Sequence, residues 1–216
     1  MNQENDVLDN VAVTSDSMDE LSYPMEFTFK IGTIWNDFVA KDANGATVAY
    51  VRQKMFKFKE AVSVYNNDAK SALLYKIAAD RWIDYNASYR FTVGESENAT
   101  GRVGRKGRKS LWKATYEIFD VDDNQEFTIR EENPWAKVWD ALLGEVPVVS
   151  MFTGYLANPR YVVENTEGQA VIRFKKKPSF FGRHFTLEKV GDLDKEQGER
   201  VLLSLMMMSL LERRRG

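Results

Sequence analysis

Short runs in which apolar and polar residues alternate dominate the chain from Pro24 onward. This pattern is typical of antiparallel β structure, because successive side chains of a strand face opposite sides of the sheet. In the run 183–189, Phe185 and Leu187 are expected on the inner face and His184 on the outer face. Four segments are rich in residues that tolerate positive φ or bond their own backbone, and they predict hairpin turns. These segments are 42–45, 66–68, 120–125 and 165–168.

Two segments depart from this alternation and predict helices. The first, 133–144, opens with an Asn-Pro pair suited to a helix N-terminus and has apolar residues at helical spacing. The second, about 195–213, follows Asp194 as a candidate N-cap, with Gln197 three residues later. Its run 201–211 is apolar on almost every side, so neighbouring groups must surround it. At about 16 Å this run is too short to cross a hydrocarbon core of about 30 Å. A barrel interior or an interface with another protein would provide the required environment.

The chain also contains an internal repeat. With Gly168 aligned on Gly45, at an offset of 123 residues, the two copies stay in register for about twenty residues. Each copy consists of a turn, an apolar strand, a corner rich in basic and aromatic residues, and a second strand. We interpret the copies as parts of two similar halves of one barrel, at about 24–100 and 101–190.

Composition narrows the class of protein. Hydrophobic residues make up 44% of the chain and aromatic residues 12%, which is enough for a sizeable core. The absence of cysteine excludes disulfide frameworks, zinc–thiolate sites and thiol nucleophiles. The N-terminal sequence does not resemble a signal peptide, so a cytoplasmic location is expected.

Charge is distributed unevenly along the chain. Residues 1–22 contain six acidic residues and no base, and we interpret them as a disordered acidic tail. The remainder, 23–216, has 30 basic and 26 acidic residues and is expected to form a single, mildly basic domain.

No catalytic set is recognisable. The only histidine, His184, is predicted on the outer face of a strand, which does not favour a nucleophile–histidine arrangement. The best metal candidate is a segment with oxygen ligands at calcium-loop positions, namely Asp120, Asp122, Asn124 and Glu131. Gln125 replaces the glycine that such a loop needs and strands are expected on both sides, so a plain acidic hairpin is the preferred interpretation. No cofactor is expected.

Basic residues beside phenylalanines are the strongest binding signal. The candidate anion-binding residues are Arg52, Lys54, Lys57, Lys59, Arg105, Lys106, Lys175, Lys176, Lys177 and Arg183. Such a mixture suits an anionic membrane surface, where cations meet phosphates and rings lie at the apolar boundary. The same mixture would also suit single-stranded nucleic acid, which is the less favoured partner. A third interpretation is that the basic residues form solvated strand faces and the aromatic residues belong to the core, since this arrangement gives the same sequence pattern.

Several segments together resemble the LURP-one-related and phospholipid-scramblase-like proteins of prokaryotic type, which share the tubby C-terminal fold. These segments are RKGRKSLWKATYEIFD (105–120), ENPWAKVWDALLGEVP (132–147), KKKPSFFGRHFTLEK (175–189) and VLLSLMMMSLL (201–211). The resemblance covers about residues 24–213. It implies a mainly β fold in which a closed antiparallel barrel of about twelve strands surrounds a hydrophobic C-terminal helix.

The same resemblance implies a function. Tubby domains bind phosphoinositides and scramblases are linked to phospholipid movement, whereas this chain lacks the proline-rich tail and cysteine cluster of eukaryotic scramblases. We therefore expect a non-enzymatic binding or scaffold module that binds anionic phospholipid at the membrane surface without a transmembrane span. The alternatives are a protein-interaction module acting through 135–149 and 151–155, and nucleic-acid binding.

Overall fold

The computed structural model describes residues 21–30, 37–53, 62–79, 88–105, 115–132, 160–177 and 184–213. These residues form twelve β-strands and one α-helix. The strands are β1 Met25–Phe29, β2 Phe38–Lys41, β3 Thr47–Arg52, β4 Val62–Tyr65, β5 Leu73–Ala79, β6 Ser88–Val93, β7 Ala99–Arg105, β8 Thr115–Phe119, β9 Gln125–Glu131, β10 Arg160–Asn165, β11 Ala170–Lys177 and β12 His184–Lys189, and the helix is α1 Lys195–Arg213. The helix predicted at 133–144 and nearly all of the acidic tail lie outside the described residues.

The strands form one closed antiparallel barrel. Each strand pairs with its neighbours in sequence, and β1 closes the barrel against β12. The prediction of a mainly β, closed barrel of about twelve strands is confirmed. Closure matters physically because it leaves no strand edge with unpaired backbone groups.

The two ends of the barrel differ in their connections. Five short turns join β2 to β3, β4 to β5, β6 to β7, β8 to β9 and β10 to β11 at one end, which we name the turn end. They comprise 42–46, 66–72, 94–98, 120–124 and 166–169. The connections that follow β1, β3, β5, β7, β9 and β11 leave from the opposite end, which we name the connection end. All four predicted turns are confirmed, and the turn at 94–98 was not predicted.

The internal repeat is confirmed by the strand register. Phe38 pairs with Val51 between β2 and β3, and their counterparts 123 residues later, Tyr161 and Phe174, pair between β10 and β11. The pairings of β3 with β4 and of β11 with β12 also match at this offset. In the described residues the repeated unit is three-stranded, and its two copies lie on either side of β1.

The helix α1 fills the barrel. Twelve strands spaced about 4.8 Å apart and tilted by about 40° enclose a cylinder about 24 Å across, which leaves room for one helix and the surrounding side chains. Every residue from Val201 to Leu210 is buried. The hydroxyls of Ser204 and Ser209 donate to the carbonyls of Arg200 and Leu205, so these polar side chains are satisfied inside the core. The predicted all-round burial of this run is confirmed, and its location is the barrel interior.

The helix enters from the turn end and runs towards the connection end. β12 leads to the turn end, and α1 starts after the short segment 190–194. Asp194 caps the helix, because its carboxylate accepts from the Gln197 amide nitrogen at 2.8 Å while the Gln197 side chain accepts from the Asp194 amide nitrogen. At 19 residues the helix is about 28 Å long, so its last turn reaches the connection end.

Each of the five turn-end hairpins contains a β-bulge. In each hairpin the second strand has one extra residue, which interrupts the alternation of inward and outward side chains. The extra residues are Val48, Leu74, Thr100, Glu126 and Val171. Three of them are buried apolar residues of the core, and Glu126 is the one that carries a charge.

Glu126 forms an ion pair with the helix. Its two carboxylate oxygens accept from Nε and Nη2 of Arg200 at 2.6 and 2.8 Å. Burial lowers the pKa of Arg200, but the hydrogen bond and the charge of Glu126 outweigh it and raise the pKa overall. Gly101 makes room for this pair, since a Cβ atom there would lie 2.6 Å from Cδ of Arg200 and 2.6 Å from the carbonyl oxygen of Phe119.

Candidate functional site

The turn end carries a concentration of negative charge. The five turns and the segment 190–194 contain ten carboxylates and a single cation, Lys70. The carboxylates belong to Asp42, Asp68, Glu95, Glu97, Asp120, Asp122, Asp123, Glu167, Asp192 and Asp194. Ion pairs with neighbouring residues compensate only some of them, such as Asp123 with Arg102 at 2.7 Å. The turn end therefore repels an anionic surface.

The predicted anion-binding residues belong to the opposite end. Arg52, Arg105 and Lys175–Lys177 lie where β3, β7 and β11 terminate at the connection end. The other five candidates belong by sequence to the connections that follow these same three strands and lie outside the described residues: Lys54, Lys57, Lys59, Lys106 and Arg183. The candidates that the structure describes thus lie at the ends of three strands at one end of the barrel.

Arg52 already has a buried acidic partner. Its Nη2 donates to Oδ2 of Asp37 at 2.8 Å, and the Tyr50 hydroxyl donates to the same oxygen. Asp37 is only 1% exposed, so this cation compensates a carboxylate that would otherwise be costly to bury. The hydrogen bond with Asp37 is the main factor that raises the pKa of Arg52, while burial is the main factor that raises the pKa of Tyr50. Arg52 therefore has a structural role at this end.

The lysines of β11 have weaker partners. Lys175 pairs with Glu188 at 2.8 Å and Lys177 pairs with Glu26. Both pairs are well exposed, and exposed pairs are worth about 0–1 kcal/mol. A phosphate could therefore replace either carboxylate at small cost. This pairing was not predicted, because the partners come from different strands.

Arg105 is the candidate without a charged partner in the described part of the chain. It lies at the end of β7, opposite Tyr116 of β8, in the register of the inward-facing residues Gly101 and Val103. Arg105 is half-buried. Its position at the rim favours contact with an anion that approaches along the barrel axis.

Ion pairs connect neighbouring strands on the wall of the barrel. Arg130 of β9 forms a bidentate ion pair with Glu164 of β10, in which Nε and Nη2 donate to the two carboxylate oxygens. Arg173 of β11 lies 3.9 Å from Glu132, and Lys76 pairs with Glu95. Cross-strand pairs of this kind balance cations with carboxylates on the outer face. Outside the candidate residues, the described strands carry eight cations and six carboxylates, so the wall is mildly positive.

The calcium-loop candidate contains the hairpin turn between β8 and β9. Oδ1 of Asp120 accepts from the backbone nitrogens of Asp122 and Asn124, and Oδ2 accepts from the Asn124 side chain. The hydrogen bond from the Asn124 side chain is the main factor that lowers the pKa of Asp120. Glu131 lies at the far end of β9, about 20 Å from the turn, so it cannot close a calcium loop. The described residues contain no group of three potential ligands that could hold a metal ion.

His184 has an ordinary surface environment. It lies on the outer face of β12, as predicted, and its Nδ1 shares a hydrogen bond with the Thr28 hydroxyl at 3.2 Å. No nucleophile–histidine–carboxylate arrangement occurs around it in the described ranges. In the same part of the chain, no helix is long and apolar enough to cross a membrane.

Comparisons with protein-family models, with curated proteins and with solved structures give no match. The likeness to LURP-one-related and scramblase-like proteins therefore stays a prediction from the sequence.

Proposed function

We propose that this protein is a non-enzymatic module that binds anionic phospholipid headgroups through the connection end of its barrel. In this proposal it is cytoplasmic and associates peripherally with the membrane. The observation that carries the proposal is the separation of charge along the barrel axis, with cationic strand ends at one end and ten carboxylates at the other.

Charge separation favours one orientation at an anionic surface. The cations at the connection end are attracted to the surface, while the carboxylates at the turn end are repelled. A cation close to an anionic membrane contributes about 1 kcal/mol. Several such contributions are needed for measurable binding, and the three basic strand ends can supply them.

The filled interior supports a binding role over an enzymatic one. Ten consecutive residues of α1 are buried against the surrounding strands, so the helix occupies the space in which a barrel enzyme would hold a substrate. Binding is therefore expected at the surface.

Vesicle flotation tests the proposal. We expect capture by vesicles of phosphatidylcholine with one-fifth phosphatidylserine, and none by phosphatidylcholine alone. Capture should fall at high salt, because the screening length shortens from about 30 Å at 0.01 M to about 3 Å at 1 M. Substitution of Lys54, Lys57, Lys175 and Lys177 by Glu should abolish it.

A charge-matched control separates the site from overall charge. Lys41, Lys70, Lys76 and Lys189 are associated with the turn end or the wall, and their replacement by Glu changes the net charge by the same amount. This control should keep at least half of the capture. No capture of the wild-type protein at low salt would refute the proposal, as would equal loss in both quadruple variants.

A further inference from the structure

The two copies of the repeat differ in charge at equivalent positions near the connection end. In the first copy, the carboxylate of Asp37 accepts hydrogen bonds from Arg52 at the end of β3. At the offset of 123 residues, the counterparts of Asp37 and Arg52 are Arg160 and Lys175, which lie opposite each other in the register of β10 and β11. The second copy therefore has a cation where the first copy has its buried acid. Like charges directly opposite each other repel, so this pair favours an anion close by.

Arg173 adds a third cation on the same outward face. It lies two residues before Lys175 on β11 and has the position of Tyr50 in the first copy, where the Tyr50 hydroxyl donates to Asp37. Outward residues two apart on a strand are separated by about 7 Å, and residues opposite each other on neighbouring strands by about 5 Å. The long side chains of Arg160, Arg173 and Lys175 can therefore converge on one anion.

Two carboxylates beside these cations hold them weakly. Glu188 of β12 pairs with Lys175 at 2.8 Å, and a carboxylate oxygen of Glu132 lies 3.9 Å from Nε of Arg173. The four side chains are 34% to 49% exposed, and ion pairs in contact with water contribute little. Asp37 of the first copy is only 1% exposed. The first copy is therefore closed around its own anion, whereas the second copy is open to an anion from solution.

A buried hydroxyl without an acceptor borders the three cations. Thr186 of β12 lies opposite Lys175, at the position of Ser63 in the first copy. Its Oγ1 is buried and has no hydrogen-bond partner in the described part of the chain. The burial of this hydroxyl is therefore not offset by a hydrogen bond, and an anion above Lys175 would supply the acceptor.

We propose that Arg160, Arg173 and Lys175 bind one terminal phosphate group, with the Thr186 hydroxyl as a further donor. A guanidinium donates two parallel hydrogen bonds to phosphate oxygens, and a terminal phosphate offers three oxygens to three cations. A phosphodiester has a single charge and only two such oxygens, so it suits this site less well. The inference rests on the proposed function, because Lys175 belongs to the same end of the barrel, and it adds the class of headgroup, a phosphate monoester.

Calorimetric titration with inorganic phosphate tests the site without vesicles. Each charge-assisted hydrogen bond contributes about tenfold to the affinity, so three of them predict a Kd of about 1 mM at low ionic strength. Dimethyl phosphate should bind about tenfold more weakly, because it has one charge and two free oxygens. The inference is wrong if inorganic phosphate shows no saturable binding up to about 10 mM, or if dimethyl phosphate binds equally well.

Substitutions locate the binding of phosphate. Arg160→Asp restores the acid of the first copy beside Lys175 and should lower the affinity for inorganic phosphate by more than about tenfold. A double Arg173→Gln and Lys175→Gln variant should do the same, and circular dichroism verifies that each variant is folded. The control is a double Lys76→Gln and Arg90→Gln variant, which removes one lysine and one arginine from β5 and β6 on the opposite side of the barrel. Unchanged affinity in both site variants would overturn the inference, as would an equal loss in the control.

Vesicles distinguish a phosphate carried by a lipid from a soluble one. Phosphatidic acid has a terminal phosphate and phosphatidylserine a phosphodiester, so at equal surface charge we expect stronger capture by phosphatidic acid, with inorganic phosphate as a competitor. Equal capture by both lipids, together with binding of inorganic phosphate, would identify a soluble phosphate monoester as the ligand of the site. Capture by phosphatidylserine without binding of inorganic phosphate would overturn this inference and leave the proposed function standing. Binding of inorganic phosphate without capture by either lipid would refute the proposed function alone.

Discussion

The ion pair between Glu126 and Arg200 should be a sensitive polar contact of the barrel. It joins the bulge of β9 to the first half of the helix with two short hydrogen bonds, and the two side chains are 15% and 8% exposed. Removing one partner leaves a charge with little access to water, which costs about 3–5 kcal/mol. We expect Arg200→Met to lie near the lower end of this range, because Glu126 retains some contact with water at the mouth of the barrel.

Urea unfolding followed by circular dichroism measures this loss. For a chain of this size, about 3 kcal/mol corresponds to a fall in Tm of about 6–12 °C. A double variant, Arg200→Met with Glu126→Leu, should recover most of the stability, because an apolar pair of similar volume avoids burying any charge. A loss below about 1 kcal/mol for Arg200→Met would refute the reasoning. Equal losses for the single and double variants would also refute it, since the cost would then come from packing.

Three further predictions concern positions with a defined local role. Gly101→Ala should lower the free energy of unfolding by about 2–4 kcal/mol, because the residue has φ of +150° and an added Cβ would collide with a carbonyl oxygen. Gly104→Ala on the same strand is the control, since a Cβ atom there has room. It should change the free energy of unfolding by no more than about 0.5 kcal/mol in the same assay. Asp194→Ala removes the helix cap and should lower the free energy of unfolding by about 1 kcal/mol, measured in the same way. Burial raises the pKa of Tyr23 from 10.0 to about 12. The free energy of unfolding should therefore fall by about 2 kcal/mol between pH 10 and 12, because the unfolded chain loses this proton first. Tyr23→Phe should reduce this alkaline loss when urea unfolding is measured at each pH.

The sequence alone was sufficient to predict the parts of the fold that depend on local pattern. The offset between Gly45 and Gly168 preserved both turns and strand register, because turn chemistry and alternation fix the pairing of neighbouring strands. The helix from Lys195 could be predicted because its cap is local and because a run that is apolar on every side has to be enclosed.

Contacts between distant residues could not be predicted in this way. The bulge at Glu126 shifts one residue out of alternation, and no local pattern shows that its carboxylate would meet Arg200. The pairing of Arg52 with Asp37 likewise depends on two strands being placed side by side.

The candidate site was only partly accessible from sequence. Its residues could be named as basic clusters beside aromatic side chains, but the position of the described ones at one end of the barrel became evident only from the order and direction of the strands. The acidic turns were recognised one by one as turns. That these turns share one end of the barrel, and together make it anionic, follows only from the closed strand order.

The most direct test of the account is to determine which end of the barrel faces the membrane. The chain has no cysteine, so an environment-sensitive dye can be placed at single sites. The sites are Ala79→Cys at the connection end, Thr128→Cys on the wall and Asn44→Cys at the turn end. On phosphatidylserine vesicles, we expect a blue shift of the dye at position 79 and unchanged emission at positions 128 and 44. A shift at position 128 or 44 with none at position 79 would contradict the account.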